Sequence, residues 1–377
     1  MNNGGRNMVN LGSSKDKGKV SVVVTFKDLD NVAGRMINSL IEQTYKNLEI
    51  ICVDDNSSDG TLEVLNEFAK NDSRITVIAN RQSLGVSKSR NIGIDSATGK
   101  FLIVVDGDDE MIFDGIEHLV NAFDEETDCV VAGFKQTLID DTTNFCMPNE
   151  KISGSPKDEV FFEKLMRYSN QSDVCCYTRM YRREVVKARY KEGCNYQEQT
   201  LFAFEMLLHL QKIRMIPVVV YNYSPYPYPK DSLSKQARCN EFKLTKLIVP
   251  EIQEITESMF PKNKFALFLS SFCLISAITM QARMEILSGK DEEEIVENIS
   301  NNLKDSLVVN TFVGVKGKTV ADNEFLSLVQ DGNAKEIYNS LTGQQFAYYE
   351  NESLEEIQVK KTIYNGLFFG VLPTIGV

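Results

Sequence analysis

Between residues 20 and 134, short apolar runs alternate with stretches whose apolar residues recur at helical spacing, and this alternation leaves the chain few folds. Val20–Val24, Leu48–Val53, Phe101–Val105 and Cys129–Phe134 have the length and β-branched content of buried strands, and Arg74–Ile78 reads as a shorter one. After the first strand Val32, Met36, Ile37, Leu40 and Ile41 share a helical face; Leu62, Leu65 and Phe68 follow the second, and Ile116, Leu119, Val120 and Phe123 follow the fourth. Gly85–Ala97 suits a helix with Lys88 and Arg90 near its start. Strand and helix alternating in this way predict an α/β fold: a Rossmann-like, right-handed, doubly wound and mostly parallel sheet flanked by helices.

Two of the strands end in acids. Phe101–Val105 runs into Asp106-Gly107-Asp108-Asp109, and Leu48–Val53 into Asp54 and Asp55 ahead of a polar turn. In an open parallel sheet ligands bind beyond the carboxyl ends of the strands, so both clusters should face one crevice. A hard divalent ion takes oxygen ligands and keeps positions open for phosphate oxygens, which makes Asp106, Asp108 and Asp109 a candidate metal and diphosphate site. A purely local role competes, in which the acids form turns and cap the helices that follow.

Composition narrows the partners. A formal net charge of -12 argues against a nucleic-acid binder, which needs a basic footprint. The eight cysteines are scattered without a Cys-x-x-Cys pair, as expected of reduced thiols in a cytoplasmic protein, and two histidines leave little scope for a histidine-rich metal site. With 377 residues, 42% of them hydrophobic, the chain can bury one sizeable core and build two parts.

The order of motifs resembles the inverting, nucleotide-sugar-dependent glycosyltransferases of family 2, with their GT-A type fold. The matching segments are Val20–Val24, Gln43–Ile51, Val53–Thr61, Leu84–Gly93, Ala97–Phe101 and an Asp-x-Asp motif at Asp106 to Asp108, dense over about residues 18 to 135. The likeness thins through Tyr181–Glu184 and Ser232–Ser234. It implies a sugar nucleotide donor, by analogy a UDP-sugar, with Mn2+ or Mg2+ on Asp108 and Asp106, and a glycan or lipid-linked saccharide acceptor as in bacterial cell-surface polysaccharide synthesis. It also implies that Asp106 lies near the ribose and metal, and that Asp55 or Asp54 meets the nucleobase. Lys88 and Arg90 would add positive charge at the diphosphate, or remain exposed helix cations.

Three places depart from the family pattern. Gln199 stands where the family carries the Asp that serves as general base, which leaves Glu198 as the candidate base or, alternatively, as a surface residue opening a helix over 200–210. Ser224 stands where an Arg is frequent, and Thr25-Phe-Lys-Asp28 replaces Pro-x-Tyr-Asn. Two functions follow as expectations: a metal-dependent transferase, or a catalytically weakened homologue that binds a sugar nucleotide or a partner subunit.

The expected organisation is a disordered arm over 1–18 with no signal-peptide core, a nucleotide-sugar-binding half over 19–136, an acceptor-binding half over 137–238 and a helical region over 239–377. Asp140–Pro156 reads as loop, and Tyr221–Pro229 as a stiff aromatic stretch suited to sugar rings or to a plain connector. Asp291–Glu294 should start a helix, and Phe265–Ala282 reads as a buried helix rather than a membrane span. The apolar end, Tyr364–Val377, would pack on the bundle, meet a partner protein or contact the inner face of the cell membrane peripherally.

Overall fold

All seven side chains of Val20–Phe26 (β1) are buried, as a strand covered on both faces requires, and its composition of Val, Ser, Thr and Phe allows this. β1 pairs in parallel with Leu48–Asp54 (β2) on one side and Phe101–Asp106 (β4) on the other, and Ile75–Ala79 (β3) extends the sheet beyond β2. Helices Ala33–Ile41 (α1), Thr61–Asn71 (α2) and Val86–Ser96 (α3) connect these strands. The computed structural model describes residues 17–137, 143–170, 178–193, 198–223, 240–261, 288–311 and 329–342, with short pieces between 273 and 286.

A second parallel pair, Cys129–Thr137 (β6) with Ile213–Tyr223 (β10), forms the other half of the sheet. The halves meet through Arg179–Arg182 (β9), which runs antiparallel to both β4 and β6. Glu110–Met111 (β5) closes the edge, giving the order β3-β2-β1-β4-β9-β6-β10-β5. Thr143–Cys146 (β7) pairs with β6 and Ile152–Gly154 (β8) with β10, so the stretch expected to be loop over Asp140–Pro156 contains two strands. Both are three or four residues long, too short to show an alternating pattern. Gly115–Ala122 (α4), Glu159–Asn170 (α5) and Glu198–Leu207 (α6) complete the layers. The mostly parallel sheet with flanking helices agrees with the sequence expectation.

Glycines set how closely α3 and the acidic turn approach β1. A Cβ on Gly93 would lie 2.2 Å from Cγ1 of Val23, and one on Gly107 would lie 2.7 Å from the carbonyl oxygen of Thr25. These contacts seat the acid-bearing turn and the face of α3 carrying Arg90 against the same strand.

Glu49, on β2, ties the start of β4 to the sheet. It accepts from the backbone amides of Thr98 (2.6 Å) and Gly99 (2.8 Å) and from the hydroxyls of Ser21 and Thr98, and Lys19 lies 3.0 Å away. Burial acts to raise its carboxyl, but these bonds outweigh it and hold the group at about 2. A folded-state pKa below the ordinary 4.5 adds stability that is present above that value and lost as pH falls toward about 2. Glu49→Gln is therefore expected to cost about 1–3 kcal/mol at neutral pH. Urea unfolding at neutral pH and in acid should show the difference from wild type shrinking over that window.

Beyond the sheet, Glu241–Met259 (α7) joins two cores: Ile248 and Ile252 pack on the main one, Phe242 and Val249 on a second. The second core includes Ile295 and Ile299 of Glu292–Leu303 (α8) and Ile337 of Ala334–Thr342 (α10); the short helix Ser306–Thr311 (α9) adds Val308. Among the described residues beyond 239 the elements are helices. Asp291 caps α8 by accepting from the Glu293 amide, as the acidic run predicts. Among the described residues Cys52 and Cys129 are buried free thiols, and no helix is long and apolar enough to cross a membrane. The N-terminal arm up to residue 16, Ser224–Pro229, Ser232–Ser234, most of Phe265–Ala282 and Tyr364–Val377 lie outside the described residues.

Candidate active site

β1 separates the two acidic strand ends. Phe26 is in register with Asp54 of β2, and Thr25 with Asp106 of β4. The clusters therefore flank one strand end, roughly 10 Å apart, at two inter-strand spacings. Both open on the crevice beyond the carboxyl edge of the sheet.

On the β4 side the turn is firmly held. The Gly107 amide donates to the Thr25 carbonyl at 3.2 Å, and Arg35 of α1 donates to the Asp108 carbonyl. Asp109 is buried and accepts from the Tyr221 hydroxyl at 2.8 Å, while the Asp106 amide donates to the same phenol oxygen at 3.3 Å. Burial, then the charges of Asp109 and Asp106, raise the Tyr221 phenol well above its ordinary value, so it remains a proton donor. Burial, then the charge of Asp106, pushes the Asp108 carboxyl up to about 6. Two carboxylates repelling each other at the mouth of a crevice suit an oxygen-seeking divalent ion. Asp109 is committed to Tyr221 and supports the turn.

The β2 side is built differently. Asp54 accepts from the amide and hydroxyl of Ser57 at 3.1 and 2.5 Å. Asp55 accepts from the amides of Leu84 (2.8 Å) and Gly85 (3.0 Å), from the hydroxyls of Ser83 and Ser89, and from the Asn80 side chain. Burial acts to raise Asp55, but these bonds lower it. With five donors engaged, Asp55 holds the loop that leads into α3. Asn56 and Asp28 have φ of 58° and 52°, a conformation that costs a non-glycine residue of order 1–3 kcal/mol and is common at ligand sites.

Arg90 is the largest change from expectation. Its side chain is 3% exposed and donates from Nη2 to Asp106 (2.7 Å) and from Nη1 to Glu198 (2.5 Å), so it is a buried bridge and not an exposed diphosphate cation. Its neighbour Lys88 is exposed and pairs with Glu192 at 2.6 Å. Glu198 is buried at the first position of α6, which rules out the surface role. Its Oε1 faces Arg90. Gln199, at the position of the expected Asp, donates from Nε2 to Asp106 at 3.3 Å. An acid there would add a fourth carboxylate to Asp106, Asp108 and Glu198 around one guanidinium.

Three participants were not singled out as site residues from the sequence. Tyr190 sits in the charged string Lys187–Glu192, yet it is 1% exposed beside Arg90. Asn91 clamps its backbone from α3. Tyr221, read as part of an aromatic stretch suited to sugar rings or to a plain connector, reaches the acidic turn from β10.

Residues 21–189 match the family model "Glycosyl transferase family 2". An uncharacterized glycosyltransferase of Haemophilus influenzae is 40% identical over 113 residues, 30% of this chain and 35% of that protein. The putative glycosyltransferase EpsH of Bacillus subtilis is 26% identical over 215 residues, 54% of this chain and 60% of that protein. The chain thus spans between about a third and 60% of the length of these curated relatives. Among solved structures, S. aureus TarS 1-349 in complex with UDP-GlcNAc superposes with a TM-score of 0.60 at 18% identity, covering 88% of this chain and 93% of that one. The two share the fold.

Proposed function

We propose, from the match of residues 21–189 to the glycosyl transferase family 2 model, that the protein moves a sugar, with inversion, from a nucleotide diphosphate sugar to a glycan or lipid-linked saccharide. The observation that supports this most is the guanidinium of Arg90 shared by Asp106 and Glu198. It joins a donor-side acid to a carboxylate on the acceptor side. The donor we infer is a UDP-sugar, in line with the ligand of the TarS crystal that shares this fold. The setting we infer is cytoplasmic, peripheral to the membrane where a lipid-linked acceptor would lie.

Among the described residues no three His, Cys, Asp or Glu side chains form a ready-made metal cage. Magnesium-type sites commonly use one or two carboxylates and complete the shell with water and substrate phosphates, so Asp106 and Asp108 are a fitting pair for Mn2+ or Mg2+. When bound, such an ion stabilises the departing diphosphate as a Lewis acid by several kcal/mol. The residues do the remaining work. Asp106 is held by Arg90 and Gln199, and the neutral Tyr221 pins the turn. Glu198 presents Oε2 to accept the proton of the acceptor hydroxyl, because Oε1 is engaged by Arg90. Lys88 lies on the same helix, in a surface pair weak enough to exchange Glu192 for a phosphate.

A second function, a sugar-nucleotide-binding or partner subunit with weakened catalysis, is favoured by one observation: an amide, Gln199, occupies the position of the family's base. Binding and turnover separate the two. Thermal unfolding with a panel of sugar nucleotides, with and without manganese, should give a metal-dependent rise in midpoint for one donor, about 2.7 kcal/mol at a hundredfold excess over Kd. Asp108→Asn should abolish the rise. If no donor stabilises the protein with or without manganese, both functions fail; stabilisation without transfer leaves the second.

A further inference from the structure

Arg90 reaches both carboxylates because its guanidinium lies on a second, aromatic structure. Its Cζ stands 5.1 Å from the centroid of the Tyr190 ring, and that ring stacks on Phe202 with centroids 4.3 Å apart and planes 4° from parallel. Phe202 lies one turn after Glu198 on α6, on the same helical face. Tyr190 is fixed by the residue that follows Arg90 on α3: its amide donates to Asn91 Oδ1 at 2.8 Å, and Asn91 Nδ2 donates to its carbonyl at 2.8 Å. The circuit therefore closes from Arg90 and Asn91 on α3, through Tyr190 and Phe202, to Glu198 and back to Arg90.

Residues on either side of Tyr190 are also tethered. Arg189 pairs with Asp95 of α3 at 2.7 Å, Lys191 with Glu251 of α7, and Glu192 with Lys88. Each such pair at the surface contributes little. Together they anchor the segment 189–192 to both α3 and the helical C-terminal region.

We propose that Tyr190 is a positioning residue: its ring face fixes the orientation of the Arg90 guanidinium, so that Asp106 on the donor side and Glu198 on the acceptor side are held in one geometry. A buried guanidinium over an aromatic face keeps its plane while its edge nitrogens serve two acceptors. A plain core role for Tyr190 would need neither the clamp by Asn91 nor a cation over the ring. The kinetic consequence rests on the transferase function; the geometric claim does not.

The test compares Tyr190→Phe with Tyr190→Leu in the full chain. Phenylalanine keeps the face, whereas leucine fills the space without it. In 15N-labelled protein, proton exchange at the Arg90 guanidinium is expected to stay slow in wild type and Tyr190→Phe and to accelerate at least about tenfold in Tyr190→Leu. With the donor that stabilises the wild type, kcat of Tyr190→Leu should fall about 10²-fold, the effect of a small misplacement of reacting groups, while donor KM holds and Tyr190→Phe restores turnover. Unchanged guanidinium exchange in Tyr190→Leu overturns the proposal, whether or not sugar is transferred. So does loss of kcat in both variants in proportion to lost folded protein. Wild type that transfers no sugar from any donor refutes the transferase function and leaves the exchange measurement to decide the role of Tyr190.

Discussion

Replacing Glu198 by glutamine is expected to lower sugar transfer by about 10²–10⁴-fold, the usual contribution of a general base, while donor binding survives. The substitution is nearly isosteric, and the amide oxygen of glutamine can still accept from Arg90 Nη1 where Glu198 Oε1 does at 2.5 Å. The shape of the site is therefore kept, and what disappears is the capacity of the second oxygen to take a proton. Glu198 opens α6, and the two residues after it, Gln199 and Thr200, are only half-buried, so this end of the helix faces the crevice. Steady-state transfer measured beside donor-induced stabilisation separates the effects: kcat should collapse and the stabilisation should remain. Undiminished turnover in Glu198→Gln would assign the base elsewhere. No other carboxylate on α6 qualifies, because Glu205 lies seven residues on, two turns away, with a carboxyl raised by burial and by Glu251 of α7.

Removal of the positive charge between the carboxylates should have the largest effect on stability. Arg90→Met keeps length and apolar bulk but leaves Asp106, 23% exposed, and Glu198, 9% exposed, without their cation. Breaking one side of a buried ion pair costs about 3–5 kcal/mol, because the remaining charges are desolvated and uncompensated. Equilibrium urea unfolding should show a loss in that range. Arg90→Lys should recover only part of it, since a single ammonium cannot address two separate carboxylates as a planar fork does. If Arg90→Met unfolds at the wild-type midpoint, water compensates both acids and the bridge is dispensable.

Much of the sheet was readable from the chain because its central strands are long, apolar and bounded by turn residues. β1, β2, β4 and β10 are six to eleven residues each, enough for a pattern to emerge. β5, β7, β8 and β9 are two to four residues long, and β9, Arg-Met-Tyr-Arg, carries two charges; such edges and stitches are specified by their neighbours and leave no periodic trace. The acids of the site were visible as strand endings. Their bridging was not, because Arg90 and Glu198 are 108 positions apart and only the fold brings them together. For the same reason the bonds that make Asp55 an anchor of its loop were not legible: two adjacent acids look alike in a sequence, and only the fold gathers five donors around one of them.

The strand Arg179–Arg182 has a consequence for how the molecule is made. It meets β4 through two residue pairs and β6 through three, and among the described residues it is the strand that joins the parallel ribbon of β3, β2, β1 and β4 to that of β6 and β10. If the first ribbon folds as it is made, the outer edge of β4 lacks its partner strand until residue 182 has been synthesised. A nascent chain halted earlier would present that raw edge to other chains, a hazard that ends when four late residues zip the two ribbons into one sheet.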